Sequence, residues 1–163
     1  MQIVAEPLRA QSFAEFGDVL EAPAEAGRVY FEAGLGNRRP RARPSLSVAH
    51  VAPLGSLPLE ATMMERHEFS SQSFLPLDVA RWLVIVAPSA PDGGADVAQA
   101  RAFIAGSGHG ITYRQNVWHH PLTVLDRPAR FAIFMWLEDG SGTDEEFVTL
   151  RQPFTVVASS HAP

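Results

Sequence analysis

Thirteen prolines and twelve glycines interrupt this chain of 163 residues at short intervals. Between them lie segments rich in Val, Ile, Phe, Thr and Leu. Such punctuation leaves little room for long helices and suits many short strands joined by turns, that is, a sandwich or barrel. Strands are expected over Gln2–Ala5, Val29–Ala33, Ser45–Ala52, Thr62–Glu68, Gln72–Pro76, Arg81–Ala87, Ala100–Ala105, Gly110–Tyr113, Thr123–Asp126, Arg130–Leu137 and Phe147–Leu150. Helix is scarce. "RAQSFAEFGDVL" reads as one short helix with Ser12 as N-cap, Glu15 three positions later and Gly17 as its stop. "DVAQARAFIA" starts as a helical turn and passes into a strand.

The length fits one domain, expected over residues 1–158, with a frayed tail at 159–163. A chain of this size buries roughly 70% of its unfolded surface, enough for a core without covalent staples. There are no cysteines, which excludes disulfides, thiolate metal sites and a cysteine nucleophile. The net charge of −5 argues against a nucleic-acid partner. The basic run "NRRPRAR", Asn37 to Arg43, is short and broken by proline, and reads as a solvated loop. "MQIVAEPLRAQSF" lacks the layout of a secretory signal, and the apolar run "WLVIVAP" is too short to span a bilayer. The expectation is a cytoplasmic soluble protein with no membrane partner.

Two polar knots stand out. In "MMERHEFSSQSFLPL", Met63 to Leu77, alternation puts Met63, Glu65, His67 and Phe69 on one face of a strand and Met64, Arg66 and Glu68 on the other. Taken alone, this is as readily an exposed strand decorated with ion pairs. In "YRQNVWHHPL", Tyr113 to Leu122, two histidines precede a proline that ends or bends the strand. Adjacent histidines on a strand point to opposite faces, so one of His119 and His120 faces a given pocket.

The spacing joins the knots. Glu65-x-His67-x4-Gln72 has the spacing of the first metal-binding motif of cupin barrels, and His119 stands where the second motif carries its histidine. Asn116 takes that motif's glycine position, and Asn tolerates positive φ. Glu65, His67, Gln72 and His119 are therefore the candidate ligands of a divalent metal.

The two knots resemble the hallmark segments of the ureidoglycolate lyase family, and "FGDVLEAP", "VIVAP" and "RAFIAGSGHGITY" are similar to it as well. The resemblance implies a mainly β, cupin-type β-barrel or jelly roll with one or two short helices. It implies a homodimer that splits ureidoglycolate into glyoxylate and urea in allantoin catabolism. That chemistry requires no cofactor; a divalent metal is compatible with it. On this resemblance the candidate catalytic residues are His119 or His120, with Glu65. Arg114 would clamp the substrate carboxylate, Gln72 would bind the urea amide, and Tyr113 and Trp118 would line the pocket or pack in the core. Arg66 is expected in an ion pair with Glu68 or at a dimer contact.

The segments "VYFEAGLGNRRPRARPSL" and "MWLEDGSGTDEEF" depart from the family's pattern. Two further readings therefore stand beside the lyase. One is a metal-dependent cupin acting on another small hydroxy or ureido acid; the other is a non-catalytic cupin that binds a small carboxylate.

Overall fold

The computed structural model describes residues 1–139 and 144–159. In chain order the elements are β1 (Gln2–Val4), β2 (Glu6–Pro7), α1 (Ala10–Phe13), β3 (Gly17–Leu20), β4 (Arg43–Val51), β5 (Leu59–His67), β6 (Gln72–Asp78) and β7 (Arg81–Ala87). After a 3-10 turn at Val97–Gln99 follow β8 (Arg101–Gly106), β9 (Gly110–Tyr113), β10 (Trp118–His119), β11 (Thr123–Leu125), β12 (Ala129–Leu137) and β13 (Glu145–Val157).

The strands form two sheets. One runs β1-β13-β5-β10-β7-β8-β2, with β11 also on β7; the other runs β3-β9-β6-β12-β4. Phe74, Ile111, Tyr113 and Phe131 of the smaller sheet meet Trp82, Val84, Val86 and Phe103 of the larger one in a single apolar cluster, joined by Phe13 of α1. This is a mainly β barrel of two facing sheets. The uninterrupted run in β7 now has its reason. Trp82, Val84 and Val86 enter the inner cluster, while Leu83, Ile85 and Ala87 enter a second cluster that includes Trp118, Phe154 and Val156. A strand buried on both faces needs no polar alternation.

Several expectations are corrected. Val29–Ala33 is not a strand: Tyr30 and Val29 are 68% and 47% exposed, and within the segment only Phe31 is partly covered. Strands β2, β3 and β10 went unread: β2 and β10 have only two residues, too few for any periodicity, and β3 lies in the segment read as the helix and its stop. The helix is a single turn with Arg9 at its N-cap and no side-chain cap; Ser12 lies inside it and donates to the Arg9 carbonyl. Gly17 does not stop the helix but opens β3, where a Cβ would run into the Thr112 carbonyl of the neighbouring strand. Pro76 lies within β6, beside the register shift at Arg130/Phe131, a bulge that tolerates its missing N–H. Residues 140–143, within the segment "MWLEDGSGTDEEF", and the expected tail from 160 onward lie outside the described residues.

Candidate active site

The site forms because β10, only two residues long, is inserted between β5 and β7. His119 pairs with Glu65 on one side and Val86 on the other. Asn116 makes the entry turn with φ 66°, and its N–H donates to the His67 carbonyl. The residue expected to accept left-handed backbone does so.

Within the barrel, His119 Nε2 lies 3.3 Å from Glu65 Oε1, both side chains being buried. His119 Nδ1 lies 2.9 Å from the Val117 carbonyl, an acceptor only, so Nδ1 carries the proton of that hydrogen bond. Nε2 therefore meets Glu65 either as a bare lone pair or with a second proton, and two acceptors at this separation are compatible only if a cation or a proton lies between them. The Tyr113 ring stacks on the imidazole, with centroids 4.1 Å apart and planes inclined by 18°. Burial, and then the Glu65 charge, push the Tyr113 phenol far above its ordinary range, so it stays protonated.

On the other side of His119 lies His67, its ring 6.0 Å away and nearly parallel. Its Nδ1 is 3.7 Å from Asp144 Oδ2 and its Nε2 3.9 Å from Glu145 Oε1. Burial lowers the His67 pKa most and His119 adds to this, against the opposing pull of Asp144 and Glu65. Burial and the Glu65 charge likewise raise the Glu145 carboxyl. Asp144 accepts hydrogen bonds from the Phe69 N–H (2.6 Å), the Ser70 hydroxyl and Arg39 Nη2 (3.3 Å). Gln72 pairs in register with Tyr113, on the inner face.

The remaining candidates lie elsewhere. His120 donates from Nδ1 to the Thr123 hydroxyl (2.9 Å), which itself donates to the Pro121 carbonyl (2.7 Å). Thr123 pairs with Leu83 of the outer cluster, so His119 and not His120 reaches Glu65 on the inside. Burial lowers the His120 pKa. Trp118 points outward into the second cluster, beneath the Arg66 guanidinium at 4.5 Å, and its indole N–H meets the Gly93 carbonyl. Arg66 pairs with Glu146 at 2.6 Å rather than with Glu68. Arg114 turns its guanidinium to the Ala14 and Glu15 carbonyls and lies 3.6 Å from Asp18. Sequence reasoning missed Arg39, Asp144 and Glu145. All three fall in the two segments that depart from the family's pattern, and no local spacing ties them to His67.

His67 Nε2, His119 Nε2 and Gln72 Oε1 are buried without a hydrogen-bond partner. Together with the Glu65 carboxylate they form a set of nitrogen and oxygen donors suited in kind to a divalent cation. Among the described residues, however, no three His, Asp or Glu side chains are gathered at separations that would hold an ion. A metal would have to draw Glu65, His67 and His119 together.

The two-sheet barrel thus carries an imidazole, a carboxylate and an amide on its inner wall, groups that serve proton transfer. The model of the ureidoglycolate lyase family matches residues 1–157, and the chain belongs to that family. A ureidoglycolate lyase of Mesorhizobium japonicum is 37% identical over 153 residues, covering 88% of this chain and 91% of that protein. One from Brucella melitensis biotype 2 is 34% identical over 139 residues, 80% of either chain. Among solved structures, a Bacillus subtilis oxalate decarboxylase superposes with TM-score 0.41 and 16% identity, over 89% of this chain and 30% of that one.

Proposed function

We propose that this chain cleaves ureidoglycolate to glyoxylate and urea by proton transfer at His119 and Glu65. The observation that carries the reading is the 3.3 Å contact of His119 Nε2 with Glu65 Oε1, inside the barrel of a chain belonging to this family. The reaction moves one proton and breaks one bond. The carbinol hydroxyl gives up its proton, the oxygen electrons form the aldehyde, the C–N pair leaves with nitrogen, and nitrogen is protonated. No water is consumed and nothing is oxidised. His119, its Nδ1 tied to Val117, offers Nε2 as the base; Glu65 accepts or returns the proton. Tyr113 keeps the imidazole in plane, and Gln72 offers an amide to the urea half.

Where a divalent metal binds, Glu65, His67, Gln72 and His119 would hold it, and it would polarise the carbinol oxygen. Incubating the protein with racemic ureidoglycolate, with and without divalent metal, while following glyoxylate and urea, tests the activity. Enantiomer-selective release of both products is expected; no release under either condition would sink the proposal. Elemental analysis of the purified protein reads the metal.

The same reading puts the enzyme in the cytoplasm, in allantoin breakdown, as one domain and a homodimer. Support for the dimer comes from the outer face of the smaller sheet. There Leu46 and Val48 are 71% and 68% exposed, beside Leu75 and Leu77. An apolar patch on the order of a few hundred Å² or more is uncommon on a monomer. Strand β4 is, among the described residues, paired on one side only. A second copy laid on this face supplies the missing cover.

A further inference from the structure

Ureidoglycolate carries a carboxylate that a cation would recognise, and the arginine that sequence suggested for it is engaged elsewhere. Arg114 is spent on the Ala14 and Glu15 carbonyls, and Arg66 is stacked on Trp118 at the outer face. A third arginine is held beside the site with more scaffolding than a solvated loop requires. The Arg38 N–H donates to the Phe69 carbonyl, the Ser71 N–H donates to the Gly36 carbonyl, and the Gly36 N–H donates to the Ser71 hydroxyl. Asn37 accepts from the Arg39 N–H and donates to the Arg39 carbonyl. The loop is thereby stitched to the β5–β6 turn, and the Arg39 side chain is 13% exposed.

Its guanidinium is only partly occupied. Nη2 donates to the Trp136 carbonyl at 2.9 Å and to Asp144 Oδ2 at 3.3 Å, and Nη1 has the long 3.8 Å contact with Glu138. Nε is buried with no acceptor. A buried guanidinium N–H without a partner is costly unless an acceptor arrives. Arg39 and His67, the neighbour of His119, share Asp144: Arg39 Nη2 and His67 Nδ1 lie 3.3 Å and 3.7 Å from the same Oδ2. The competing explanation is that Arg39 only neutralises Asp144. That account uses Nη2 and leaves Nε unexplained.

We infer that Arg39 is the carboxylate-recognition residue of the substrate pocket, offering the N–H groups that Asp144 leaves free to the carboxylate of a small 2-hydroxy acid. The inference rests on the proposed lyase reading for the identity of that acid. Both Nη2 hydrogens are engaged by Trp136 and Asp144, so the substrate carboxylate is taken through the Nε–H as a charge-assisted hydrogen bond rather than by a two-pronged fork.

The two products separate the charged half of the substrate from the neutral half, so they serve as probes. KM for ureidoglycolate, and inhibition by glyoxylate and by urea, are measured on the wild type, Arg39→Lys and Arg39→Gln. Arg39→Gln is expected to raise KM and the glyoxylate inhibition constant at least tenfold while urea inhibition moves less than twofold, with Arg39→Lys intermediate. Parallel weakening of glyoxylate and urea, or unchanged glyoxylate inhibition, overturns the assignment. If the wild type shows no turnover, glyoxylate binding by calorimetry takes the place of kinetics. Binding lost in Arg39→Gln then supports Arg39 while the lyase reading fails, and no binding to the wild type overturns both. Should Arg39→Gln fold poorly, Arg39→Gln with Asp144→Asn removes both charges and is read the same way.

Discussion

At the scale of single residues, the two adjacent histidines divide. His119 faces Glu65 on the inner wall, and His120 is tied to Thr123 behind the sheet. His119→Ala is therefore expected to lower kcat by about 10²–10⁴, the range for a lost acid or base, and His120→Ala by less than tenfold. Steady-state kinetics on the two variants checks this, and equal activity in both refutes the assignment of the base. The tautomer is a separate consequence. With Nδ1 bound to the Val117 carbonyl, ¹⁵N-resolved NMR should place the imidazole proton on Nδ1 of His119. A neutral ring protonated only at Nε2 would contradict the geometry.

At the scale of elements, the site depends on a strand start, at Asp144, and on a strand pair, β3 with β9. Asp144, just ahead of β13, holds the β5–β6 turn through the Phe69 N–H and Ser70 and also pairs Arg39. Asp144→Ala leaves a buried cation without its partner. It is expected to cost about 3 kcal/mol, roughly 6–12 °C in Tm by calorimetry. Gly17→Ala pushes a methyl group against the Thr112 carbonyl across the β3–β9 pair, and overpacking of this kind costs about 2–3 kcal/mol. An unchanged Tm in Gly17→Ala would show that β3 is free to move away. Both elements were hard to read in advance. β3 lies in the segment read as the helix and its stop, and Asp144 belongs to a turn whose partners lie some seventy positions upstream.

At the scale of the whole molecule, burial of two imidazoles sets a pH dependence. His67 and His120 are 3% and 9% exposed, and burial depresses both. Between the ordinary histidine value near 6.5 and the depressed folded values, the unfolded chain binds more protons than the folded one. Stability therefore rises with pH across that window: it is complete above about 6.5 and declines as pH falls toward the folded values. Urea midpoints between pH 5 and 8 should show this, and His120→Asn should flatten the slope. The exposed outer face makes a second prediction at this scale. Leu46→Glu together with Val48→Glu should convert the proposed dimer to a monomer in size-exclusion chromatography with light scattering, without loss of β-sheet signal in circular dichroism; a wild type that already elutes as a monomer overturns the proposal.

What the sequence determined by itself was local and periodic. Breaker spacing foretold a mainly β chain, period-two alternation put Glu65 and His67 on one face with Arg66 on the other, and Asn116 announced the left-handed turn before His119. These follow from covalent geometry within a few residues, which needs no partner strand. The tertiary structure alone decided that β10 slips between β5 and β7, that Trp118 leaves the pocket, and that Arg39 and Asp144 reach His67 from segments about a hundred residues apart. Such contacts depend on which strands pair and in what register. Pairing is set by burial of whole faces across the barrel, a property that no short window of residues contains.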